Sequence, residues 1–120
     1  MLKTGILNPH LLSLLARVRH TNTLVIADRG FPSWSGMEII DLSLVDDVPT
    51  VLQVLTAVKE NFVMAHAYMA EEFTQHNGLE PREAVERALA GVPLDGADIS
   101  RLRSVRTGAA PLPPELAQRF

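Results

Sequence analysis

The sequence predicts an α/β domain in which a mixed sheet carries helices packed on both faces. Two patterns point there: apolar residues recur at helical spacing in separate segments, and between them lie short runs of β-branched and aliphatic residues bounded by turn chemistry. With 120 residues, 47% of them apolar, the chain is sized for one domain with its own core.

Leu11, Leu14, Leu15 and Val18 fall at i, i+3, i+4 and i+7, the stripe of a helix lying on a core. Asn8 before Pro9 supplies an N-cap and a first helical residue, and this helix is expected to end near His20. Residues 23–27 are too short for a helix and rich in strand formers, so they read as a central strand closed by the turn Asp28-Arg29-Gly30. Residues 31–36 have loop composition, and 37–42 resume a strand-like apolar run. Asp46-Asp47-Val48-Pro49 offers helix-start chemistry with Pro49 at the first helical position, and Val51, Leu55, Val58 and Phe62 trace the buried stripe that follows.

Residues 63–69 alternate, with Val63, Ala65, Ala67 and Met69 on one face and Met64, His66 and Tyr68 on the other, which predicts a third strand. Glu71 and Glu72 open a solvated helix, His76-Asn77-Gly78 breaks the chain, and 81–90 form a surface helix with Ala84, Val85, Ala88 and Leu89 inward. Residues 91–100 are turn-rich, 102–107 suit a short strand, and the prolines after Ala109 suit an extended segment. The domain is therefore placed at 1–108 and a proline-rich tail at 109–120. There is no internal repeat.

Composition narrows the function. Eleven Lys and Arg against fourteen Asp and Glu give a formal net charge of -3, which offers no chain-wide reason to bind nucleic acid; the cluster Arg101, Arg103 and Arg106 reads as a solvated face. A neutral small molecule suits this balance better. No stretch approaches the roughly 20 apolar residues that span a bilayer, and no long apolar leader follows Lys3, so a soluble protein without a membrane partner is expected. The absence of cysteine excludes disulfides, thiolate zinc sites and cysteine nucleophiles and fits a reducing compartment, with the cytoplasm the default. Serine-nucleophile and phosphate-loop motifs are missing, and no histidine has a convincing metal partner, so neither a metal nor an organic cofactor is expected.

The chemistry-bearing candidates are His20 and Asp28, at either end of the first apolar run. Unperturbed imidazole titrates near pH 6.5 and can hold or release a proton at working pH, and a nearby carboxylate can orient it. Across one extended segment the two would lie roughly 25 Å apart, so they meet one ligand only if the chain curls or a second subunit supplies one of them. On the residues alone His20 reads first as a helix C-terminal residue favoured by the dipole, and Asp28 as an ordinary turn carboxylate. Tyr68 reads first as a packing residue.

The run His20-Thr21-Asn22-Thr23-Leu24-Val25-Ile26-Ala27-Asp28-Arg29-Gly30-Phe31-Pro32, with Lys3-Thr4-Gly5-Ile6-Leu7-Asn8 upstream and Gln53-Val54-Leu55 and Ala70-Glu71-Glu72 downstream, resembles the D-ribose pyranase and L-fucose mutarotase family, the ribose branch more closely. The resemblance implies a three-layer ribose pyranase-like fold, a ring-shaped homo-oligomer with sugar sites near subunit contacts, and an isomerase that interconverts pyranose and furanose or α and β forms of a free monosaccharide without a cofactor. It assigns His20 as the catalytic proton-transfer residue and Asp28 as a substrate-binding carboxylate, which reverses the plain reading of both. L-Fucose mutarotation and non-catalytic sugar binding are the alternatives.

The chain also departs from the family. Arg19-His20-Thr21-Asn22 stands where members have Gly-His-Thr-Asp, and Asp28-Arg29-Gly30 replaces Asp-Ala-Gly, placing a cation near the pocket mouth. After Arg106-Thr107-Gly108 no Tyr-Ala-Asn follows, and no histidine lies between Gly91 and Arg106. These losses leave open a shortened chain, a rebuilt site or an assembly without activity.

Overall fold

A computed structural model describes residues 1–32, 35–97, 106–107 and 110–111. Helix α1 is Pro9–Arg17 and α2 is Val51–Asn61. Strand β1 (Ala67–Ala70) then leads through α3 (Glu71–Asn77) and α4 (Leu79–Leu89) to β2 (Leu94–Ala97). The short strands β3 (Arg106–Thr107) and β4 (Ala110–Pro111) pair antiparallel. β1 and β2 pair in parallel, Ala67 opposite Leu94 and Ala70 opposite Ala97, with the two helices as their crossover. The α/β class read from the sequence holds.

α1 forms as its sequence requires. The Asn8 side chain accepts the Leu11 N–H at 2.9 Å, Pro9 takes the first turn, and Leu11, Leu14 and Leu15 are buried. It stops at Arg17 rather than near His20, because Val18 turns extended and Asn22 captures the chain: its side chain accepts the Arg19 N–H at 2.7 Å, and its own N–H donates to the Arg19 carbonyl at 2.9 Å.

α2 starts at Val51 with Thr50 as its N-cap, not at Pro49. Thr50 Oγ1 accepts the Gln53 N–H at 3.1 Å while the Gln53 side chain accepts the Thr50 N–H at 2.9 Å, a reciprocal capping box that satisfies two donors no proline could serve. Thr50→Ala is expected to cost about 1 kcal/mol, read as a lower urea midpoint with an unchanged slope; an unchanged midpoint would show that the box contributes nothing.

The core gathers Ile6, Leu11, Leu15 and fully buried Val58, with Leu24, Ile26, Leu42, Val54 and Phe62 packed against it. This corrects two expected strands. Leu24, Ile26 and Leu42 do contribute apolar surface, but residues 23–27 and 37–42 form no ladder, since a strand needs a neighbour at about 4.8 Å and not burial alone. The third expected strand shrinks to β1, leaving Val63 exposed. In the stretch read as turn-rich, residues 94–97 are instead β2, recruited by β1's need for a hydrogen-bonding partner.

Gly78, with φ of 79°, separates α3 from α4 at the expected break. α4 presents Ala84, Val85, Ala88 and Leu89 inward as read, and packs on α2 and α3. Of the expected 109–120 tail, β4 is described and 112–120 lie outside the described residues, as do Arg101 and Arg103.

Candidate functional site

The residues after α1 and those before α2 enclose a cleft of about 730 Å³, a size that suits a small organic ligand. Its apolar part includes Leu24, Ile26, Ile40 and Val54. Its polar part includes the carboxylates of Asp28, Glu38, Asp41 and Asp47, and Arg29 is the one cation among the described lining residues. Such a lining favours a neutral polar ligand over an anion. A more open depression of about 390 Å³ along α2, lined by Thr50, Leu52, Gln53, Thr56, Ala57 and Glu60, brings no histidine and only one carboxylate.

Asp28 lies where the apolar run ends. Its Oδ1 accepts the Gly30 N–H at 2.8 Å, and its carbonyl accepts the Phe31 N–H at 3.1 Å, so a compact turn holds the carboxylate at the cleft. The other oxygen accepts no hydrogen bond from the described residues. His20 is elsewhere: it is exposed in the Arg19–Asn22 turn and is not among the cleft-lining residues. Within one chain, His20 and Asp28 therefore do not line the same cleft.

Among the described residues, three long-range ion pairs had no signal in local spacing. Arg17 in the last turn of α1 grips Glu38 with both terminal nitrogens, one at 2.6 Å, tying that helix to the segment 37–42. The hydrogen bonds from Arg17, helped by its charge and opposed by desolvation, hold the Glu38 carboxyl below its ordinary pKa. A depressed folded-state pKa means that the pair stabilises the fold above the ordinary carboxylate range, and that this contribution is lost as pH falls through the lowered value. Glu38→Gln should therefore be less stable than the parent at neutral pH, with the gap closing on acidification; urea melts across pH check this, and a gap independent of pH would refute it. Asp41 is held low as well, by the Ser43 hydroxyl first and then the Ser43 N–H at 2.9 Å.

The second pair joins the cleft-lining Arg29 to Asp46, which sits between the lining residues Val45 and Asp47. The third lies away from the cleft, where His66 Nε2 sits 2.8 Å from Asp95 Oδ2 and the Tyr68 ring tilts against the imidazole at 4.6 Å. Tyr68 is 67% exposed, which corrects its reading as a packing residue. Among the described residues, no group of three or more His, Asp or Glu side chains could hold a metal ion, and no helix is long and apolar enough to cross a membrane.

An α/β fold with this cleft at the end of the first apolar run defines a class, and the chain belongs to it: the RbsD / FucU transport protein family, whose model matches residues 1–104. The particular relatives are D-ribose pyranases. The chain is 42% identical over 94 residues to that of Geobacillus kaustophilus, covering 78% of this chain and 68% of the relative. It is 35% identical over 109 residues to that of Laribacter hongkongensis, covering 91% and 82%. The match to the Corynebacterium glutamicum D-ribose pyranase is 48% over 71 residues and spans 59% of this chain and only 58% of that relative. Among solved structures, Bacillus subtilis RbsD complexed with D-ribose superposes with a TM-score of 0.69 at 32% identity, covering 80% of this chain and 72% of that one.

Proposed function

We propose that the chain is a mutarotase of the D-ribose pyranase type, interconverting the ring or anomeric forms of a free monosaccharide such as D-ribose. The observation that carries this reading is the carboxylate-lined, apolar-floored cleft holding Asp28, in a chain whose named relatives are D-ribose pyranases.

Opening a cyclic hemiacetal requires a proton to leave the anomeric hydroxyl and a proton to reach the ring oxygen, and closure reverses both transfers. A neutral imidazole with a pKa near working pH serves either direction. His20 is assigned both transfers: a ring nitrogen takes the anomeric proton, and the imidazolium so formed gives a proton to the ring oxygen as its bond to the anomeric carbon breaks, with the reverse steps closing the ring. Asp28 is assigned the sugar's orientation, its other oxygen accepting from a hydroxyl.

Since His20 faces solvent from its own turn, it reaches a cleft most directly in an adjoining copy. The reading therefore includes a homo-oligomer, ring-shaped as in the resemblance, in which one copy's His20 serves the next copy's Asp28. It also takes in a cytoplasmic location, no cofactor, and a domain at 1–108 with its tail at 109–120.

Magnetisation-transfer NMR tests the proposal. Exchange between D-ribose forms should exceed the spontaneous rate in proportion to added protein, and an unchanged rate would end the enzyme reading. Faster exchange on L-fucose than on D-ribose would move the assignment to the fucose branch. The missing family histidine and Tyr-Ala-Asn favour one second reading, sugar binding without turnover, which saturable binding with no accelerated exchange would select.

A further inference from the structure

We infer that Arg29 is a sugar-positioning residue, held beside the cleft by Asp46 so that its guanidinium donates to a hydroxyl beside the one from which Asp28 accepts. This rests on the reading of the cleft as a monosaccharide site and adds a residue for which the family pattern, with alanine at this place, has no equivalent.

The argument starts from an imbalance of donors and acceptors. An ionised carboxylate only accepts, whereas each sugar hydroxyl both donates and accepts. Asp28, Asp41 and Asp47 line the cleft with acceptors, beside Glu38 whose two oxygens Arg17 already engages, so a sugar held among them needs a donor for its hydroxyl lone pairs. Arg29 is the charged donor of the described lining. It follows Asp28 directly in the chain, so guanidinium and carboxylate rise from the same turn.

Asp46 restrains that guanidinium. Its Oδ1 accepts from Arg29 Nη1, which takes up one of the five donors and leaves the rest free. Asp46 itself is held on a tight turn between Val45 and Val48: these two form a bridge, the Val48 N–H donates to the Val45 carbonyl at 3.1 Å, the Leu44 N–H donates to the Val48 carbonyl at 2.9 Å, and Asp47 adopts φ of 58°. The anchor is thus ordered, and both flanking residues, Val45 and Asp47, line the cleft.

A role in stability accounts poorly for the pair. The side chains are 70% and 84% exposed, and exposed pairs of this kind contribute little to folding. Their exposure is what a ligand needs, since the free guanidinium hydrogens are reachable from the cleft mouth. An arginine already held in place loses less freedom when it engages a ligand, so Asp46 favours binding without touching the sugar.

The test is a D-ribose titration by ligand-observed NMR, with thermal melts confirming that each variant folds. Arg29→Ala should weaken binding by about tenfold, the scale of one charged hydrogen bond, and Arg29→Lys should recover only part of it because the fork is lost. Asp46→Asn should weaken binding when Arg29 is present and have no further effect beside Arg29→Ala. In the exchange assay, Arg29→Ala should raise KM more than it lowers kcat.

Ordinary affinity in Arg29→Ala alongside lost affinity in Asp28→Ala would overturn this inference alone. So would tighter binding by Asp46→Asn, which would make the pair a barrier across the mouth. No saturable binding by the unaltered protein, or none of it sensitive to Asp28, would overturn the monosaccharide reading of the cleft and this inference with it.

Discussion

Replacing His20 by alanine is expected to reduce accelerated sugar exchange by about 10² to 10⁴, the usual contribution of one positioned acid or base. Fold stability should barely change, because the side chain is exposed in the Arg19–Asn22 turn and makes no core contact. The loss should fall on kcat with sugar affinity largely kept, as expected when a group acts in the transition state more than in binding. The exchange assay and a thermal melt on the same sample check both halves. Exchange equal to the parent would remove His20 from the mechanism. Mixing His20→Ala with Asp28→Ala protein extends the test: if one copy's imidazole serves another's cleft, mixed assemblies regain activity that neither variant has alone.

The largest expected effect on stability is that of Leu89→Ala. Leu89 ends α4 at 1% exposure, and α4 packs on α2, whose Val58 is fully buried. Truncating such a leucine removes its transfer free energy and leaves a void, costing about 2 to 5 kcal/mol. Against a total of roughly 5 to 15 kcal/mol for a domain, that is enough to leave part of the protein unfolded at modest temperature. A urea titration measures it directly, and a loss below about 1 kcal/mol would mean that the site collapses around the smaller side chain.

How much of this was readable from sequence depends on how local each interaction is. The Asn8-Pro9 start and the Leu11, Leu14 and Leu15 stripe involve neighbours within one or two turns, and they placed α1 correctly. The Ala84, Val85, Ala88 and Leu89 face placed α4 for the same reason. Pro49 as a first helical residue lies two positions ahead of the observed start at Val51, because the Thr50 and Gln53 capping box outweighs the appeal of proline at a first turn. Strands depend on a distant partner. The best-looking run, 23–27, found none, while Leu94-Asp95-Gly96-Ala97, with little strand character, pairs because β1 lies beside it.

The site divides along the same line. Asp28 was placed by its own turn, a local device, and it does reach the cleft. The pairs Arg17 with Glu38, Arg29 with Asp46 and His66 with Asp95 join residues remote in sequence, and no spacing rule could have selected them. The cation at position 29 was visible as a departure from the family; its partner was not.

The short turn that holds Asp28 has a consequence for anyone wishing to change what this cleft accepts. A Cβ built on Gly30 would stand 3.2 Å from Asp28 Oδ1, close enough that the carboxylate would have to swing aside by a few tenths of an ångström. Position 30 therefore works as an adjusting screw for position 28. Libraries that vary residue 30 while keeping the aspartate would re-aim its carboxylate without discarding it, a gentler change to the cleft than replacing Asp28 itself.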